Sequence, residues 1–106
     1  VQEKVEIFKA LSDKNRLLII EMLSCGELCA CDIMERLNLT QPTISHHMKI
    51  LGHVKLINSR KDGKWTLYKL NQETFNDLCN FINYLSSYKE KCICEDIIKK
   101  KCSEDG

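Results

Sequence analysis

The sequence predicts a mainly helical domain with one small β-hairpin: a winged helix-turn-helix, in which a helix-turn-helix is followed by a basic wing. Two apolar-periodic segments are joined by the polar turn Asn38-Leu39-Thr40, and the second is rich in hydrogen-bonding side chains. Two alternating runs, 56–60 and 65–70, then flank Asp62-Gly63, a hairpin-turn dipeptide. The hairpin is basic, as a phosphate-facing ribbon has to be.

Each element has its own signal. Val5, Ile7, Phe8 and Leu11 make a short amphipathic first helix over 5–11. Ser12 and Asp13 are capping residues for a second helix running to Leu23, with Leu17, Ile20 and Leu23 at helical spacing. Ser24 to Glu27 is a break containing Gly26. A third helix fits 31–37, with Ile33 and Leu37 four apart. Thr40 caps a fourth, Pro42 sits in its first turn, and Ile44, Met48 and Leu51 form its inner stripe. A long last helix covers 72–89, with Phe75, Leu78, Cys79, Ile82 and Leu85 on one face and Cys79 expected in the core. That stripe is large for so small a core, and pairing it with Val5 and Phe8 of a second copy would bury it. Residues 1–90 read as one DNA-binding and dimerisation domain, and 91–106 as a cysteine-rich tail.

Composition narrows the function. With 106 residues, 43% hydrophobic and 29% charged, the chain reads as a single globular domain. No apolar run approaches the roughly 18 residues of a membrane span. With no secretory leader in view, a cytoplasmic location is expected. A nucleophile–base–orienter set and a phosphate loop are both missing, so an enzyme is not expected. Net charge is +1, unevenly spread: between His46 and Lys69 six basic residues meet one acid, a net of +5 that leaves −4 for the remainder. Such a basic segment suits duplex DNA.

The expected reading residues lie in the first turns of the fourth helix. Gln41 can pair with adenine in the major groove, and Thr43 and Ser45 can contact bases or phosphates. His46, His47 and Lys49 extend the same surface; adjacent histidines diverge by about 100° on a helix and make a poor chelate, so contact with DNA is the better role. In the wing, Arg60, Lys61 and Lys64 surround the turn and would neutralise phosphates, whereas Trp65 and Tyr68 read as packing.

Seven cysteines are the compositional anomaly. In a reducing compartment clustered thiols read as metal or redox chemistry. Cys29 and Cys31 are two apart, which inside a regular helix turns them about 200° from one another. They can share one ion only if the helix starts between them or its first turn distorts. Soft ions such as Cd(II), Pb(II) and As(III) favour thiolates, and a helix N-terminus lowers a thiol's pKa. Cys92, Cys94 and Cys102 offer a second set, and three thiols suit trigonal As(III) or Sb(III). Cys25 can join Cys29 or face the core.

Taken together, ALSDKNRL at 10–17, ELCACDI at 27–33, LTQPTISHHMKIL at 39–51 and RKDGKWTLY at 60–68 resemble the ArsR/SmtB family of metal-responsive winged-helix repressors. The resemblance implies a homodimer through the first and last helices, a palindromic operator, and release when an inducer binds. The ELCxCD box resembles the family's arsenic- and cadmium-type sites, although the third cysteine frequent in the arsenic subgroup is Met34 here. Some arsenic-responsive members carry three cysteines near the C-terminus, and Cys92, Cys94 and Cys102 resemble that arrangement. The family's zinc- and nickel-type sites use histidines of the last helix, and no His follows His53. The expectation is therefore a repressor responding to As(III) or Sb(III). A Cd/Pb/Zn-responsive repressor and a thiol redox or persulfide switch are the alternatives.

Overall fold

The computed structural model describes residues 1–88 and residue 94, so Cys92 and Cys102 lie outside the described residues. In chain order the elements are α1 (Gln2–Leu11), α2 (Lys14–Leu23), β1 (Leu28–Cys29), α3 (Ala30–Leu37), α4 (Gln41–His53), β2 (Ile57–Asp62), β3 (Trp65–Leu70) and α5 (Gln72–Ser86). The three strands form one antiparallel sheet in the order β1-β3-β2. This is the winged helix-turn-helix expected from the sequence, with one element added. β1 is two residues long, too short to show periodicity, and exists through its partner: Leu28 pairs with Tyr68 and Cys29 with Leu67.

Each junction has a chemical cause. Asp13 opens α2 by accepting the Arg16 N–H at 3.1 Å, and this hydrogen bond holds its carboxyl below the usual range. Ser12 instead closes α1, its hydroxyl donating to Phe8 O at 2.7 Å. Asn38 ends α3 in the left-handed region at φ +53°, which Asn tolerates. Thr40 precedes α4, but its hydroxyl bonds the Thr43 hydroxyl at 2.9 Å instead of a backbone N–H. In the wing Asp62 is paired with Trp65, so the turn is Gly63-Lys64, one residue later than the dipeptide signal suggested. Gly63 takes φ +62°, at no steric cost for a residue lacking Cβ.

The core is built from Ile7 and Ala10 of α1, Ile19 and Leu23 of α2, Ile33 of α3, Ile44, Met48 and Leu51 of α4, Leu56 and Ile57 entering the wing, and Leu78 of α5. Several stripes are rotated from their expected position. Ile19, not Leu17, faces inward on α2, and Leu17 is exposed. On α1 Ile7 and Ala10 are buried while Val5 and Phe8 are exposed. Only the first half of α5 packs on this core: Ile82 and Leu85 face outward, and Cys79, expected inside, is exposed.

Among the described residues one buried residue is polar. His47, expected at the DNA, is 7% exposed and lies in the core. Arg16 Nη1 donates to His47 Nδ1 at 3.3 Å, and Arg16 Nε donates to Ala10 O, so one guanidinium ties α1, α2 and α4 together. A guanidinium only donates, so His47 accepts here as a neutral ring. Burial pushes its pKa down, Arg16 and His46 add to that, and the Asp13 carboxylate opposes it. The signal was present in the sequence: 44, 47, 48 and 51 follow the i, i+3, i+4, i+7 spacing of one buried face.

The C-terminus of α4 sets the angle of the wing. Lys55 N–H bonds Gly52 O at 3.0 Å and Leu56 N–H bonds Leu51 O at 3.1 Å, a Schellman closure sealed by the fully buried pair Leu51 and Leu56. Lys55 holds the left-handed position at φ +65°, which costs a residue with Cβ.

These features make two predictions. Lys55→Gly removes that cost and raises unfolding free energy by about 1 kcal/mol in urea titration. His47, with a native pKa below its ordinary 6.5, contributes stability that is complete above about 6.5 and is lost as pH falls through the native value, because the unfolded chain takes up the proton first. The urea midpoint falls between pH 7.5 and 5.5, and His47→Gln flattens that slope.

Candidate DNA interface and thiol site

With His47 inside, the outer face of α4 presents Gln41, Ser45, His46 and Lys49, all exposed. Thr43 is half-buried, its hydroxyl held by Thr40. Gln41 and Thr43 sit in the first turn of the helix, beside backbone N–H groups that favour phosphate. The wing cations are exposed, and each has a neighbour. Lys61 Nζ donates to Thr66 Oγ1 at 2.8 Å. Lys64 Nζ lies 5.1 Å from the centre of the Trp65 ring. Arg60 donates through Nε and Nη2 to the two carboxylate oxygens of Glu27, at 3.0 and 2.8 Å. That fork lowers the pKa of Glu27 and raises that of Arg60. One cation expected at the DNA is thus held by the loop that leads into β1.

The same loop delivers the thiols. Cys29 is the last residue of β1 and the N-cap of α3, with extended φ −84° and ψ 160°. Cys31 lies in the first turn that follows. The helix therefore starts between the two cysteines, which is the condition the spacing imposed, and their sulfurs converge and are joined in a disulfide. Asp32 Oδ2 accepts the Cys29 N–H at 3.3 Å and also lies 3.3 Å from Cys29 Sγ. Ligand atoms of Cys29, Cys31 and Asp32 all lie within 4.8 Å of one another, among the described residues a set that could hold one ion once the sulfurs are reduced. Met34, at the position of a third cysteine in the resemblance, is half-buried against the core and turned to packing.

A cavity of about 380 Å³ opens beside the sulfurs, lined by Glu27, Cys29, Cys31, Asp32, Trp65 and Leu67. Trp65 was expected to pack, yet it is 49% exposed and forms part of this wall. No sequence signal placed it there, because the contact depends on the β1–β3 pairing. Cys25 is exposed, as is Cys94 in the tail; Cys92 and Cys102 are outside the described residues.

Comparison with known proteins agrees with this geometry. The family model described as bacterial regulatory protein, arsR family, matches residues 13–59, from the cap of α2 into β2. An arsenical resistance operon repressor of Staphylococcus aureus is 42% identical over 101 residues, 95% of this chain and 97% of that one. A homolog of the cadmium resistance transcriptional regulatory protein CadC, also from Staphylococcus aureus, is 39% identical over 74 residues, 69% of this chain and 61% of that one. Among solved structures, an ArsR-like transcriptional regulator from Rhodococcus sp. RHA1 superposes with a TM-score of 0.72 at 25% identity, covering 79% of each chain. The chain belongs to the ArsR family of bacterial regulatory proteins.

Proposed function

We propose that the chain is a homodimeric transcriptional repressor that holds a palindromic operator and releases it when As(III) or Sb(III) is taken by cysteine thiolates, Cys29 and Cys31 first among them. One observation carries this reading: the two sulfurs and the Asp32 carboxylate converge at the start of α3, on a residue paired with the wing strand. The Staphylococcus aureus relative, described as an arsenical resistance operon repressor, supports the inducer class. Cys92, Cys94 and Cys102 are the second candidate set, and one of them is the natural third sulfur for an inorganic ion.

On the DNA side Gln41, Thr43, Ser45 and His46 read the groove from the start of α4, and Lys49, Lys61 and Lys64 neutralise phosphates. Arg60 joins them when Glu27 lets it go. The dimer forms on exposed Val5, Phe8, Ile82 and Leu85, with the Phe8 and Phe81 rings 6.5 Å apart where α1 meets α5. Among the described residues no helix is long and apolar enough to cross a membrane, which suits a regulator working at DNA in the cytoplasm.

Ligation of Cys29 and Cys31 acts on the start of α3, where the two sulfurs meet. α3 leads into α4 through the Asn38 turn, and β1 is bonded to β3, so the reading helix and the wing both feel the change. By linkage a coupling of about 1–3 kcal/mol weakens DNA affinity about 5–150-fold, and DNA weakens ion affinity by the same factor. A second reading is favoured by the disulfide itself: an oxidant that takes two electrons and two protons from the pair would set the same switch.

Gln41→Ala is expected to cost about 1–3 kcal/mol of operator binding and relax base preference, while Lys64→Ala weakens all duplexes alike and makes the log–log salt slope shallower by about 0.9. Operator release is then titrated with arsenite, antimonite, Cd(II) and peroxide. Cys29→Ser and Cys31→Ser keep DNA binding and lose the arsenite response. If truncation before Glu90 abolishes that response while the two serine variants keep it, the tail is the sensor. Release by peroxide alone establishes the redox reading.

A further inference from the structure

We propose that the cavity beside Cys29 and Cys31 is a subsite for the organic group of a monosubstituted trivalent arsenical, with Trp65 as its specificity-determining wall. This rests on the reading that the cysteine pair takes trivalent arsenic, and it names which arsenical the site fits best.

The argument starts from valence. Trivalent arsenic makes three bonds, and Cys29 and Cys31 supply two sulfurs. Among the described residues the third donor grouped with them is the Asp32 carboxylate, a hard oxygen ill-suited to a soft centre. Met34 is committed to the core. An inorganic ion would have to draw its third sulfur from the tail, whereas a ligand whose third valence is already filled by carbon needs no further donor from the protein.

The space beside the sulfurs agrees. About 380 Å³ is far more than one ion fills, and Trp65 and Leu67 of β3 line this open pocket together with the two cysteines. The β1–β3 register fixes this wall relative to the thiols, since Leu67 is the direct partner of Cys29. Trp65 is half exposed and lies outside the core, so its indole has aromatic surface available to a ligand held at the sulfurs. Lys64 covers part of the ring from one side. The two acids that also line the cavity do not oppose this ligand: Glu27 is neutralised by Arg60, and an arsonous acid is uncharged near neutral pH.

The chemistry balances without a redox step. Starting from the dithiol form, R–As(OH)₂ forms two As–S bonds and loses two As–O bonds. The two thiol protons leave with the hydroxides as two waters, and the As–C bond is untouched.

The test uses the full chain reduced with a trialkylphosphine, which brings no competing thiol. Release of a labelled operator duplex is titrated with phenylarsonous acid, methylarsonous acid and arsenite, and ligand uptake is followed in parallel by the loss of titratable thiols. The expected order is phenyl, then methyl, then arsenite, with the phenyl midpoint about tenfold below that of arsenite. Trp65→Ala brings the phenyl midpoint up to that of arsenite and leaves the arsenite midpoint in place, and Trp65→Phe restores most of the difference. Equal midpoints in the wild type, or a phenyl preference that survives Trp65→Ala, overturn the subsite while the arsenic-responsive repressor stands. Tight uptake of phenylarsonous acid that depends on Trp65 but releases no DNA supports the subsite and overturns the inducer reading.

Discussion

Two residues of backbone pairing hold this molecule's functions together. Leu28 and Cys29 are bonded to Tyr68 and Leu67 of the wing, and the residue after them begins α3. Because β1 ends where α3 begins, Cys29 belongs to the sheet and the helix at once. Its backbone is extended while Cys31 is already helical, so two side chains that a continuous helix would aim apart meet on one side. The same pairing carries Trp65 to the sulfurs and brings Glu27 within reach of Arg60. Without this short ladder the cysteines would be surface groups with no strand beside them.

A second tie joins the reading helix to the body. The Arg16 guanidinium holds His47 of α4 and the last turn of α1 together, and Asp13 stands at the head of the helix that carries it. A buried ring that accepts from a cation is polar matter placed where most of the packing is aliphatic. It fixes the rotation of α4 more strictly than interchangeable methyl groups do, since a slipped helix would leave the guanidinium and the ring unpaired. The side of α4 that is turned outward is therefore decided from inside the protein.

Much of this was legible in the residues. The turn at Asn38, the Pro42 start, the stripe of Ile44, Met48 and Leu51 and the two wing strands all follow from local chemistry, and the requirement on Cys29 and Cys31 followed from helix geometry alone. What escaped was set by distant partners. β1 has no period of its own, so neither it nor the role of Trp65 could be read locally. His47 looked like a DNA contact because its neighbours are polar, although its spacing belonged to the buried face. Cys79 and Leu17 sit on periodic faces that the chain itself does not cover. Arg60 was counted as a free cation because Glu27 lies 33 residues away.

Trp65 is the sole tryptophan of the chain. Its indole stands in the same small cavity as the sulfurs, and indole emission is sensitive to thiolates, disulfides and heavy atoms at close range. The protein therefore carries a native optical gauge of its thiol chamber, with every photon emitted by tryptophan coming from one known place. A change of state at the pair is expected to register as a change of emission in unlabelled protein.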